Sequence, residues 1–118
     1  MDARNVARGL AWFGIGLGAA ELLAPRRMAR AAGLEGHEAL VQVFGLREIA
    51  SGAVILAAAE PEKWLWTRVA GDLLDGLLLG RGLLPDNPGR GRSLAALAAV
   101  APVVALDAVY AAEAGWPA

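Results

Sequence analysis

The sequence predicts an all-α fold, a bundle of four membrane-spanning helices, and three observations carry that expectation. Hydrophobic residues make up 57% of the 118-residue chain and charged ones 19%, where ordinary soluble domains hold about 45–50% and about 25%. The excess is mostly Ala, Leu and Val, with 15 glycines, a bias more typical of membrane helices than of soluble ones. Four windows approach the roughly 20 residues that cross a hydrocarbon core of about 30 Å, and polar breaks separate them. An Ala/Leu-rich soluble bundle would share the composition, but four windows of spanning length favour lipid. The length suits a single integral-membrane domain covering residues 1–118.

The first window runs from Val6 to Ala24 and stops at Pro25, because the residue before a proline avoids helical geometry. Gly14 and Gly18 lie four apart on one face, a pair that lets another backbone come close. Packing within the chain is its expected use, ahead of dimerisation. Arg4 and Arg8 before an apolar core imitate a secretory signal, yet glycines break that core and no small-residue cleavage site follows. A retained helix is expected. Pro25 to Ala32, carrying Arg26, Arg27 and Arg30, predicts a short basic helix at the membrane surface, stopped by Gly33. The second window spans Ala39 to Ala59 and closes at Glu60-Pro61-Glu62-Lys63. The third spans Trp64 to Leu84, then breaks at Pro85-Asp86-Asn87-Pro88-Gly89, a strong turn signal. The fourth runs from Ser93, a plausible N-cap, to Ala112, with Pro102 as a candidate kink.

Orientation follows from the arginines, which accumulate on the cytoplasmic side. The first and third connections hold Arg26, Arg27, Arg30, Arg81, Arg90 and Arg92, whereas the termini and middle connection hold only Arg4, Arg8 and Lys63. Both termini are therefore expected outside. Trp64, Trp66, Tyr110 and Trp116 fall toward that same outer interface, where amphipathic rings settle.

Ionised residues interrupt the apolar windows. Counting 1.5 Å of rise per residue from the window midpoints, Arg47, Glu48, Asp72 and Asp75 lie within about 3 Å of the bilayer centre. Arg68 and Asp107 fall roughly 6–9 Å toward the outside, and Glu21 about 9 Å toward the inside. A charge at the centre costs roughly 2.5–3.5 kcal/mol on insertion scales, so it signals a functional site or a paired structural one. Arg68, Asp72 and Asp75 are spaced to share one helix face, and Gly45, Glu48 and Gly52 form a narrow face that admits a neighbouring helix. Two cations, Arg47 and Arg68, meet five carboxylates, Glu21, Glu48, Asp72, Asp75 and Asp107. Pairing leaves three acids over, which must be protonated, hydrated or bound to a cation. Glu21 is expected to escape by reaching the inner interface. Glu48 and Asp75 are then the expected titrating or cation-binding groups, Asp72 and Asp107 further ligand residues, and Arg47 and Arg68 the cations that orient Asp72 and Asp107. Salt-bridge glue is the structural alternative: Arg47 lies at the depth of Asp75 or Asp72, and Arg68 at that of Asp72 or Asp107.

Other chemistries are disfavoured. The net charge of −1 offers no basic surface for nucleic acid. With no cysteine there is no disulfide or thiolate site. The single histidine, His37, falls in a connection without a metal-ligand neighbour, so no metal or cofactor is expected. Gly89-Arg90-Gly91-Arg92 reads as a flexible basic loop rather than a phosphate cradle.

The run Phe44-Gly45-Leu46-Arg47-Glu48-Ile49-Ala50-Ser51-Gly52, with Arg68-Val69-Ala70-Gly71-Asp72-Leu73-Leu74-Asp75 and Leu106-Asp107, resembles small bacterial four-helix membrane proteins of the DUF4267 type. It is also similar to the membrane region preceding polyketide cyclase/dehydrase (START-type) domains. The resemblance implies the bacterial inner membrane and a recurring polar set of Arg47, Glu48, Asp72 and Asp107. It carries no activity, and with no cyclase-like stretch in these 118 residues no cyclase function is expected. Three functions stay open: an ion- or small-molecule-binding transporter or channel subunit, favoured as a homo-oligomer because one small bundle leaves little room for a pathway; an accessory scaffold; and a membrane-embedded enzyme acting on a lipid-like substrate. Lipid is the expected surrounding partner.

Overall fold

A computed structural model describes residues 2–115. The first helix, α1 (Ala3–Leu23), opens on Asp2, whose side chain accepts a hydrogen bond from the Arg4 backbone N–H at 3.2 Å. That cap satisfies one of the donors a helix start leaves unpaired. It ends where Pro25 begins the short basic helix α2 (Pro25–Ala31), proline being preorganised for a first helical position. Gly33, at φ +70°, turns the chain out of α2; that left-handed conformation favours glycine. Then follow α3 (Glu38–Ala57), a 3₁₀ turn at Pro61–Trp64, α4 (Trp66–Arg81) and α5 (Arg90–Ala114). All regular structure among the described residues is helical.

Three helices, α1, α3 and α5, are long and apolar enough to cross a membrane, at 21, 20 and 25 residues. The third expected span is shorter than the 64–84 window. Pro61 diverts its first turn into 3₁₀ geometry and the regular helix ends at Arg81, leaving 16 residues, about 24 Å of rise. The start of α5 also differs from expectation. Gly89 is the cap and Arg90 the first helical residue, while Ser93 lies buried inside the helix and donates to the Ala32 carbonyl at 2.7 Å.

α1 pairs with α3 and α4 with α5, and these are the most extensive helix contacts. The first pair is drawn together by glycine. A Cβ on Gly18 would stand 2.5 Å from the Gly45 carbonyl oxygen, and one on Gly45 would stand 2.7 Å from that of Gly18. The Gly14/Gly18 face is thus spent inside the chain, as expected.

Both termini meet the α3–α4 connection at one end. The Arg4 guanidinium donates to the Ala59 carbonyl at 3.0 Å, and the Trp66 indole to that of Gly115 at 3.0 Å. Trp116, expected in the same aromatic belt, lies outside the described residues. At the other end the α4–α5 turn is tied to the α2–α3 loop. Asn87 donates to Gly33 O at 2.9 Å and to Gly82 O at 2.5 Å, and Arg92 pairs with Glu35 at 2.6 Å. Arg26, Arg27, Arg30, Arg81 and Arg90 are exposed at this end.

Two apolar clusters cap the interior. Val6, Leu10, Ile55, Leu65 and Ala111 form one near the termini, and Ala29, Leu34, Val41 and Leu79 form the other near the basic end. Between them the usual arrangement of a soluble protein is inverted. Asp107, Arg68 and Glu48 are 0%, 4% and 5% exposed, whereas Leu23, Leu77 and Leu73 are 85%, 73% and 68% exposed. Exposed apolar surface on this scale marks a face that meets a membrane or another protein.

Candidate functional site

The polar interior is assembled from α3, α4 and α5, with α1 supplying space. Arg68, on the first turn of α4, reaches across to α5 and donates from Nε to Asp107 Oδ1 at 2.8 Å. Its Nη1 faces Glu48 Oε2 of α3 at 3.8 Å, beyond hydrogen-bond range but within ion-pairing distance. Gly14 of α1 makes this possible, because a Cβ there would strike Arg68 Nη1 and stand 2.9 Å from Glu48 Oε2. Arg47 donates from Nη2 to Asp75 Oδ1 at 3.0 Å and to its neighbour Glu48 Oε1 at 3.4 Å. Its guanidinium also lies over the Phe44 ring, 5.5 Å from the centroid, a cation–π arrangement. Gly71 of α4 accommodates it, since a side chain at that position would overlap the guanidinium.

This pairing departs from the expected roles. Glu48 and Asp75, expected as the surplus acids, are the ones held by arginine. Asp72, expected to be oriented by Arg47 or Arg68, has neither as an ion-pair partner; its carboxyl instead lies against that of Asp107. Arg47 orients Asp75 rather than Asp72 or Asp107. Glu21, expected to reach the inner interface, is half-buried and has its Oε1 buried without a hydrogen-bond partner. The arginines chose otherwise for a geometric reason: each guanidinium goes where a facing glycine leaves room, and depth along the helix axis carries no information about that.

The unsatisfied atoms are therefore specific. Among the described residues, Glu21 Oε1, Asp72 Oδ2, Asp107 Oδ2 and Glu48 Oε2 are buried oxygens of the cluster with no hydrogen-bond partner. Ionised carboxylates accept and do not donate, so Asp72 and Asp107 can interact directly only through a proton or a cation placed between them. A further polar tie went unread in the sequence. The Ser51 and Thr67 hydroxyls of α3 and α4 meet at 2.5 Å, with Thr67 also bonded to the Trp64 carbonyl at 2.8 Å.

Two cavities adjoin the cluster. One of about 400 Å³ opens between α1, α4 and α5 and has Glu48, Arg68, Asp72 and Asp75 in its otherwise apolar wall. The other, of about 410 Å³, lies toward the basic end and is lined by apolar residues with Glu21 and Asp75. Leu17, Asp75 and Val100 belong to both. Volumes of about 300–1,000 Å³ with apolar walls and a few convergent polar groups characterise small-molecule sites. His37 lies outside this region, at the start of α3.

Fold and site together define an all-helical protein with three membrane-length apolar helices and a charged interior beside an apolar cleft. Compared with protein-family models, with curated proteins and with solved structures, the chain matches none.

Proposed function

We infer that the chain is a multi-pass protein of a bacterial inner membrane, that α4 completes a four-helix transmembrane bundle, and that the buried cluster binds a cation or proton. In this reading the protein acts as a transporter- or channel-like subunit, favoured as a homo-oligomer. Trp64 and Leu65 before α4 and Leu83 and Leu84 after it supply the apolar length that the 16 helical residues lack. The long axis of 44 Å supports this, being close to the roughly 40–45 Å of a bilayer with its headgroups. Both termini would face outward, because six of the eight exposed arginines, all but Arg4 and Arg8, gather at the opposite end.

One observation carries the binding role: two carboxylates, Asp72 and Glu21, have no arginine partner yet present buried oxygens beside cavities. In a low-dielectric interior a bare charge is costly, so these groups bind a proton or cation. The scaffold reading rests on a different observation, the ion pairs that link α3 to α4 and α4 to α5. An enzyme on a lipid-like substrate would also use the apolar cavity, with a carboxylate as acid or base.

Proteoliposomes carrying an internal pH dye and an imposed potassium diffusion potential separate these readings. The expected result is proton flux in the native chain and its loss in Asp72→Asn, with helical content and unfolding midpoint unchanged. A native chain without flux or proton uptake on a pH jump, destabilised by Arg47→Met, would remove the transport reading and favour the scaffold.

A further inference from the structure

We propose that the cleft beside the cluster is a binding site for an amphipathic organic cation, a protonated amine carried on an apolar body. This deepens the cation-binding reading and rests on it. The distribution of charge within the cleft is the first argument. The cluster has five carboxylates and two arginines. Arg47 is committed to Asp75 and Glu48, and Arg68 to Asp107 and Glu48. Asp72 in the wall of the first cavity and Glu21 in that of the second are left without a cation, each with one buried oxygen unsatisfied. Glu48, more than nine-tenths buried, adds an Oε2 with no hydrogen-bond partner to the first cavity. Of the charged groups lining that space, Asp75 is neutralised by Arg47 and Glu48 is shared between Arg47 and Arg68, so the missing positive charge is the one at Asp72.

Shape selects among cations. Among the described residues no three acidic or histidine side chains are grouped so as to hold a metal ion, and hard divalent ions require six or more oxygen ligands. An ammonium needs only two or three acceptors, because it carries three N–H donors. The rest of the first cavity is hydrocarbon, from Phe13 and Leu17 on one side to Val100 and Val104 on the other. A bare ion would leave that wall facing nothing, whereas an apolar body attached to the amine fills it. The amine therefore sits at Asp72, with Glu48 and Asp75, already held by arginine, in the wall beyond it, while its body lies between α1 and α5, reached sideways from the bilayer.

Gly76 offers an independent test. It lines the first cavity, and a Cβ added there meets nothing within 4 Å. Gly76→Leu thus obstructs the cleft without touching the carboxylates or their arginines.

The experiment is scintillation-proximity binding of tritiated 4-phenylbutylamine to the full chain in phosphatidylcholine nanodiscs, with 4-phenylbutanol as the uncharged competitor. The expected result is saturable binding that the alcohol does not displace. Loss of a charge-assisted contact should weaken it by about tenfold or more in Asp72→Asn, and Gly76→Leu should weaken it while both variants keep the native unfolding midpoint. Absence of saturation, equal competition by the alcohol, or native affinity in Gly76→Leu overturns the amine site. Proton flux through the same preparation distinguishes the two levels. If flux persists and depends on Asp72, only the amine assignment fails; if flux is absent as well, the cation-binding reading falls with it.

Discussion

Removing the Arg68 guanidinium would leave Asp107, which has no exposed surface, facing Asp72 and hydrocarbon. Breaking one partner out of a buried ion pair costs about 3–5 kcal/mol, because the remaining charge is stranded. Arg68→Met is therefore expected to lose roughly that much, measured as the unfolding midpoint in mixed micelles. Replacing Arg68 and its hydrogen-bonded partner together, as Arg68→Met with Asp107→Leu, should recover part of it, since a buried pair exchanged for apolar groups is often neutral and Glu48 keeps its contact with Arg47. A double variant as unstable as the single one would contradict this account. The exposed pair at the basic end behaves differently. The Glu35 carboxyl is held below its ordinary value, 4.5, chiefly by the hydrogen bond from Arg92. A depressed value in the folded state stabilises the fold at pH above the ordinary value, and the benefit is lost as pH falls through the lowered one. NMR titration of the Glu35 carboxyl should give a midpoint below the ordinary value, returning toward it in Arg92→Gln. Identical midpoints would show that the pair does not persist in solution.

The α1–α3 contact concentrates the consequences of a single methyl group. At Gly18 a Cβ would press on the Gly45 carbonyl from 2.5 Å, so Gly18→Ala must separate the two backbones. Overpacking of this kind costs about 1–3 kcal/mol. Gly16 lies two residues away with nothing within 4 Å of its Cβ direction, and there alanine should gain up to about 1 kcal/mol through helix propensity. Denaturant titration of the two variants, expected to move in opposite directions, checks the packing. If both shift alike, the close approach is not what holds this pair. α4 is subordinate by comparison: short and interrupted by Arg68, Asp72 and Asp75, it is positioned by contacts from α3 and α5.

For the molecule as a whole, a long axis of 44 Å with six of the eight exposed arginines at one end makes the proposed orientation in a bilayer directly testable. The chain has no cysteine, so single introduced thiols report without background. In right-side-out membrane vesicles, Glu60→Cys and Glu113→Cys should react with a membrane-impermeant maleimide. Arg27→Cys and Arg90→Cys should stay unlabelled until the vesicles are opened. Labelling of Glu60→Cys and Arg90→Cys from the same side would mean that α4 does not cross. The first two positions lie at the end shared by the termini, so concordance between them also tests the antiparallel arrangement.

Much of this was legible in the residues themselves. Spanning-length apolar windows, Pro25 between α1 and α2, Gly33 after α2 and the Pro85–Gly89 break predicted where the chain breaks between helices, because breaks are local properties of the backbone, while the shortened α4 and the start of α5 at Arg90 were missed. The surplus of five carboxylates over two arginines was legible too, since it needs only counting. Which acids remain unpaired was not. Glu48 and Asp75 share the depth of Asp72, and only the lateral placement of α1 and α4, with Gly14 and Gly71 clearing space for two guanidiniums, assigns the arginines to some carboxylates and withholds them from others. Helical rise along one axis is written into a sequence; the rotation of each helix about that axis depends on the neighbours it packs against, and so does the cleft between them.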